Sequence, residues 1–397
     1  MLIYFIGPIS LLLLDKLHET STRLEKKGLE YLVISFSAFI LCTGYMTGSD
    51  WRGYELLYND ISISNLSTVS REWLFYLYML SFKFIGVQFF HFLIFTKAII
   101  FIDTIRVLTK YSKNDLFSVF FFLAYSVFGL FLFVDNPLRF MIALGIAMHA
   151  FDHIIKRQPI RFIITVLIAF LFHITAIVII PAYFVKQIRL SKFKIILFYS
   201  LFYFLFSTSM LLTILEVLYK YWPNTINMLF RTYILKAQLE TMTTLSIGLV
   251  FHYFLFLIIV LNKDNIENSL YGKYLFAFAI IYFILFKIGL IFPTAFRLAL
   301  YFIPFFIASL CIIFKSSFLS SYYIKPVVVL YLLFSLYDNV YNSWTYYPYS
   351  NYFVALISGE KDFSYRSEYN KAKYQDRFNG YPEDEIILNA DEIFITN

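Results

Sequence analysis

The chain has 397 residues, of which 60% are hydrophobic, 22% aromatic and only 15% charged, a make-up far from that of a soluble globular domain. Its net charge of +7 would suggest nucleic acid in a soluble chain. Here the basic residues cluster at the ends of apolar runs, so membrane topology explains them and no nucleic-acid partner is expected.

Apolar runs of about 17–23 residues, enough to cross roughly 30 Å of hydrocarbon as helix, recur along the whole length. Spans are expected near 2–14, 30–48, 88–109, 116–134, 138–155, 162–185, 195–215, 243–261, 274–292, 298–314 and 322–340. The fold class is therefore an all-α polytopic membrane protein, with about 10–12 transmembrane helices. The opening MLIYFIGPISLLLL has no basic residues ahead of it and no small-residue cleavage site behind it, and reads as a retained helix. Residues 1–340 form a single multi-span domain with outer loops at 49–87 and 216–242. Residues 341–397 form a polar tail led by the aromatic run YNSWTYYPYSNYF.

The first chemistry-bearing stretch is GYMTGSDWRGYELLYND at 44–60, where Gly48 suits the left-handed conformation that closes a helix. Asp50, Arg52 and Tyr54 follow at once, at the interface. The bland alternative is a capping turn with a surface ion pair, which would contribute little. Residues 70–87, SREWLFYLYMLSFKFIGV, carry Glu72 and Lys83 among Trp and Tyr, and read as an interfacial helix lying on the outer surface. Within the next span Asp103 and Arg106 are spaced to neutralise each other, with Lys97 a turn or two away.

DNPLR at 135–139 opens a helix: Asp135 and Asn136 are capping residues, Pro137 fits a first turn, and Arg139 lies within that turn. Free amides, the helix dipole and a guanidinium together favour an anion there. A structural pair of Arg139 with Asp135 is the alternative. His149 and His153 flank Asp152 one helical turn apart, but they sit beside Lys156 and Arg157 at the cytoplasmic end, so no metal is expected.

The basic cluster Lys186, Arg189, Lys192 and Lys194 breaks the positive-inside alternation if 162–185 crosses once. It is restored if 162–185 is a broken, re-entrant element that turns near His173, Thr175 or Pro181. Such backbone is tolerated where it is buried in protein or lines a wet cavity. His173 then sits at the break. FPTAFRLALYF at 292–302 repeats the proline-opened design, with Arg297 in the first turn and Tyr301 one turn on. Two such arginines on one side suggest a clamp for a phosphate-bearing ligand. Lys287 either lines the same outer cavity or snorkels. Cys42 and Cys311 both lie in apolar runs, so neither a disulfide nor a Cys-based metal site is expected. Soluble-enzyme motifs such as GxSxG and HExxH do not occur, and no inverted repeat of the transporter type is evident.

GSDWRGYELLY after a span, the segment opening with Glu72, NPLRFMIALGIAMHAF, AFLFHITAIVIIP and FRLALYFIPF occur in an order that resembles the EpsG family of Wzy-type bacterial polysaccharide polymerases. Ile174 and Thr175 stand where that family commonly has Pro or Ser after the histidine.

The resemblance implies a glycosyltransferase in the bacterial cytoplasmic (inner) membrane. It would join undecaprenyl-diphosphate-linked oligosaccharides into O-antigen, capsule or exopolysaccharide at the outer face. Arg139 and Arg297 would bind the diphosphate, while His173, Asp50 or Glu72 would serve as base and Arg52, Tyr54, Tyr301 and Lys287 would support. No metal or cofactor is called for, and a chain-length regulator and a flippase would be partners. An O-antigen ligase or a flippase-type transporter is the alternative reading; an acyltransferase fits poorly.

Overall fold

The computed structural model describes residues 2–17, 23–66, 72–112, 115–125, 128–185, 188–206, 246–290, 293–316, 320–342, 346 and 349–358. The expected outer loop 216–242 and the tail beyond 358 lie outside them. Among the described residues every regular element is helical, and a bridge joins Gly44 to Asn351. In order the helices are α1 Ile3–Leu17, α2 Arg23–Cys42, α3 Trp51–Asp60, α4 Ile63–Leu66, α5 Trp73–Phe84, α6 Phe89–Tyr111, α7 Leu116–Ala124, α8 Gly129–Phe133 and α9 Leu138–Ile155. There follow α10 Pro159–Phe172, a 3-10 segment Ile174–Phe184, α11 Lys192–Leu205, α12 Ile247–Leu261, α13 Lys263–Glu267 and α14 Gly272–Gly289. The last are α15 Pro293–Leu300, α16 Ile303–Ser316, a π turn Ser320–Ile324, α17 Lys325–Asn342 and α18 Tyr352–Ser358.

This is an all-α polytopic membrane protein. Among the described residues three stretches, Leu138–Ile155, Gly272–Gly289 and Ser320–Tyr341, are long and apolar enough to cross a membrane, and α10, α12 and α16 are shorter apolar helices. The run 116–134 is divided into α7 and α8, and α5, in the stretch expected as an interfacial helix, has 12 residues, about 18 Å of helix.

The run 162–185 is also broken. α10 stops at Phe172, His173 is extended (φ −157°, ψ 126°), and the chain resumes as the 3-10 segment with Pro181 inside it. The two arms pack together, Phe162 near the start of one lying 5.0 Å from Tyr183 near the end of the other. The chain therefore turns back at His173, one of the three turning points that the basic cluster after it suggested.

The described residues group into two compact units, Met1–Arg106 with Val119–Ile142 and Val327–Asn397, and Val107–Ser118 with Ala143–Pro326. Both cores are aromatic. In the first, Phe92 packs against Tyr58, Tyr78 and Phe82 at 5.1–5.5 Å between ring centres. In the second, Phe305 packs on Phe151 at 4.3 Å and on Phe278 at 4.9 Å, and Tyr282 stacks on Phe306 at 4.8 Å. Edge-to-face and offset rings of this kind add stabilisation beyond the area they bury.

Candidate functional site

In the first unit the turn after α2 and the turn before α9 are laced together. Gly48 (φ +85°) lies so close to the second turn that a Cβ there would come within 1.8 Å of the Val134 carbonyl oxygen. Its left-handed conformation is the expected one, but it serves close backbone approach, since α2 has already ended at Cys42. Beside it the Asp50 N–H donates to the Asp135 carbonyl at 3.1 Å. The Asn136 amide donates to the Thr47 carbonyl at 2.9 Å. Asn136 therefore ties the two turns together rather than capping α9. The Asp135 carboxylate accepts from the Tyr346 hydroxyl at 2.6 Å, and Tyr4 donates to the Tyr346 carbonyl at 2.8 Å.

Arg139, in the first turn of α9, emerges from this junction. Its Nη1 donates to Glu72 Oε2 at 2.7 Å, and its guanidinium carbon lies 5.8 Å from the Tyr54 ring centre and 6.0 Å from that of Phe75. Tyr54 and Phe75 meet edge-on at 5.5 Å. The partner is thus Glu72, brought by α5, and the alternative pairing with Asp135 does not form. The Glu72 side chain is 8% exposed and that of Arg139 24%. A guanidinium has five N–H donors, so one carboxylate anchors it while part of its surface stays open to another anion.

The backbone around this site is strained. Met46, Glu72 and Asn136 all have positive φ (50°, 55° and 63°), a conformation costing about 1–2 kcal/mol for a residue with a Cβ. Such strain is concentrated where function demands a fixed geometry. Asp50 is half-buried, its carboxylate accepting from Ser49 Oγ at 2.9 Å. Arg52 is half-buried 5.3 Å from the Trp51 ring centre. Burial pushes the Asp135 carboxyl up to about 7, Asp50 adding to the rise while the Tyr346 hydrogen bond and the Lys97 ammonium oppose it.

The second unit holds the other candidates. His173 is half-buried at the break, its backbone N–H donating to the Ala169 carbonyl at 2.9 Å. Thr175 Oγ1 lies 3.1 Å from the hydroxyl of fully buried Tyr301, which joins the broken element to the residue just after α15. α15 also packs on the 3-10 segment and on α14. Arg297, within α15, is half-buried and has no ion-pair partner among the described residues. Lys287 is 3% exposed, its ammonium 3.9 Å from the Tyr203 ring centre. At the other end, Asp152 accepts from Lys110 and from Tyr111, and His153 Nδ1 lies 3.1 Å from Gln158 Oε1. Asp152 and His153 are therefore engaged with structural partners.

The structure thus gathers Asp50, Tyr54, Glu72 and Arg139 in one unit and Thr175 and Tyr301, beside His173, in the other. Two residues of the first unit were given no role at the site from the sequence. Lys97 is completely buried in α6, and its charge reaches Asp135. An ammonium in the middle of FFHFLIFTKAII was the available signal. Glu55, three residues after Arg52 on α3, was foreshadowed by that helical spacing.

A family model described as the EpsG family matches residues 29–353 of the chain. No curated protein and no solved structure matches it.

Proposed function

Because the chain belongs to the EpsG family, and so is a membrane protein of polysaccharide biosynthesis, we propose that it is the polymerase of a surface glycan in a bacterial inner membrane. Its substrates would be undecaprenyl-diphosphate-linked oligosaccharides at the outer face, and its product O-antigen of lipopolysaccharide, capsule or exopolysaccharide. A hydroxyl of the acceptor glycan attacks the anomeric carbon of the donor glycan. The bond from that carbon to the diphosphate oxygen breaks, undecaprenyl diphosphate leaves with the electron pair, and the hydroxyl proton passes to a base.

The observation that carries this reading is the Arg139 guanidinium, fixed by Glu72 and two aromatic rings yet still partly exposed at a strained junction. A pre-positioned cation stabilises charge that develops on a leaving diphosphate without reorganising at the moment of reaction. Arg297 is the second candidate for that charge, and His173 or Asp50 for the base. Glu72 is less suited to the base role because its carboxylate already holds Arg139. Arg52, Tyr54, Tyr301 and Lys287 would support the substrate or the residues that touch it. A flippase and a chain-length regulator would act on the same glycan.

The test is the polysaccharide profile of a deletion strain complemented with variants, normalised to protein in the membrane. Arg139→Ala and Arg297→Ala should each lower long-chain polymer by about 10²–10³-fold, leaving single-repeat material. A normal ladder of chain lengths in both would overturn the reading. Long polymer that is made but left unattached to its lipid acceptor would point to a ligase.

A further inference from the structure

Beyond Tyr54, α3 continues for one turn to Tyr58, about 6 Å along its axis. There the first unit opens a cleft of about 410 Å³, within the roughly 300–1,000 Å³ usual for small-ligand sites. Its wall combines Glu55 and Asn59 from α3 and Gln88 before α6 with the rings of Tyr58, Phe90 and Tyr352. These rings are fixed. Tyr352 stacks on Phe90 at 5.6 Å between centres, and Tyr58 on Phe92 at 5.1 Å.

The cleft is also braced from within. The Tyr58 hydroxyl donates to the Val87 carbonyl at 2.7 Å, and the Lys83 ammonium donates to the carbonyls of Asn59 and Ile61 at 2.6 and 2.7 Å. Among the described residues, the side chains of Glu55, Asn59 and Gln88 have no partner of this kind, and Asn59 and Gln88 are exposed. Burial raises the Glu55 carboxyl above its ordinary value, with Arg52 pulling it back.

We infer that this cleft is a sugar subsite, which takes a neutral or amino-substituted unit of the glycan being joined; for the source of that glycan the inference rests on the polymerase reading above. A pyranose presents an apolar C–H face and a rim of hydroxyls. Fixed aromatic rings accept the first, while a carboxylate and two amides, with acceptors and donors both uncommitted, pair with the second. The charge balance argues against a phosphate. Lys83 keeps its positive charge but turns two of its three N–H donors to backbone carbonyls, and with the Glu55 carboxylate in the same lining the cleft is near neutral, which suits a sugar better than a phosphate. The subsite therefore complements the guanidinium one turn away: the cation would hold the carrier's diphosphate, and the cleft the sugar.

The probe is a lipid-free oligosaccharide cut from the host strain's own surface polysaccharide, titrated against the full-length protein in lipid nanodiscs by saturation-transfer NMR. The wild type should bind it, and Glu55→Ala and Gln88→Ala should each raise Kd by about tenfold, the loss expected for one hydrogen bond of about 1.4 kcal/mol. Thermal unfolding checks that both variants stay folded, and Gln88 is exposed enough to change without harm. Excess inorganic diphosphate should leave the oligosaccharide Kd unchanged. The inference is overturned if the wild type does not bind, if both variants bind as the wild type does, or if diphosphate displaces the sugar. The deletion strain's polysaccharide profile judges the polymerase reading separately, because normal polymer there would sink that reading whatever the cleft binds.

Discussion

The two arginines singled out by the same local pattern, a proline-opened helix with the charge in its first turn, are treated differently by the fold. Arg139 is wired into its unit: a carboxylate anchors it, two rings flank it, and the turns beside it are tied across 85 to 211 residues of sequence by Asp50–Asp135, Asn136–Thr47 and Asp135–Tyr346 bonds. Arg297 lies half-buried in α15 without an ion pair among the described residues. Its neighbourhood is held by helix packing and by the Thr175–Tyr301 contact. The same motif thus gives a charge integral to the structure in one unit and a separable one in the other.

Stability separates the two most strongly at the junction itself. Gly48→Ala forces a side chain onto a left-handed residue and into the Val134 carbonyl, and should cost about 3 kcal/mol or more. The fitting control is Gly86, also left-handed (φ +79°) but with nothing within 4 Å of a built Cβ. Gly86→Ala should cost about 1 kcal/mol, the conformational part alone. Thermal unfolding in detergent measures both. Equal losses would mean that the close approach of the two turns does not hold the site.

The arginines themselves come next. Arg139→Ala removes the ion-pair partner of the nearly buried Glu72 carboxylate and should destabilise by about 2–3 kcal/mol in the same assay. Arg297→Ala should stay within about 0.5 kcal/mol of the wild type. If Arg297→Ala proves as costly as Arg139→Ala, the contrast between a wired and a separable charge fails, even if both variants lose polymer.

Much of this was legible in the sequence, for physical reasons that differ by region. Apolar period and length gave the all-helical class, and the misplaced basic cluster at 186–194 suggested a break within 162–185, near His173, Thr175 or Pro181, because charge asymmetry constrains topology without reference to contacts. The local design of DNPLR gave the helix start and the position of Arg139. Its partner was not legible, since Glu72 arrives from 67 residues away and nothing local distinguishes it from Asp135. The capping role expected of Asn136 failed for the same reason: its left-handed backbone and its bond to Thr47 are imposed by the opposing turn. The sugar cleft was invisible because it is assembled from α3, the segment before α6 and Tyr352, whose proximity only the fold creates.

Acidity sharpens the contrast further. Asp135 is protonated more readily in the folded protein than in the unfolded chain, its carboxyl being raised from 3.8 to about 7 by burial. The folded state therefore binds the extra proton, and the associated stability is complete below about pH 4 and is lost as pH rises through about 7. Unfolding followed between pH 5 and pH 8 should show the first unit weakening toward the alkaline side. Asp135→Asn, which keeps an acceptor for Tyr346, should flatten that slope. An unchanged slope would mean that Asp135 stays ionised across the range.

The smallest effect belongs to the second unit. Tyr301→Phe removes a hydroxyl from a fully buried ring while keeping its packing, so it should cost about 1 kcal/mol for the lost bond to Thr175. Thr175→Val should cost a similar amount. The double variant should cost less than the sum of the two, because one shared bond is removed in all three. If the losses add in full, the hydroxyls act separately. The Thr175–Tyr301 contact would then not be what seats the broken element, and the contrast with the hydrogen-bonded junction of the first unit would widen.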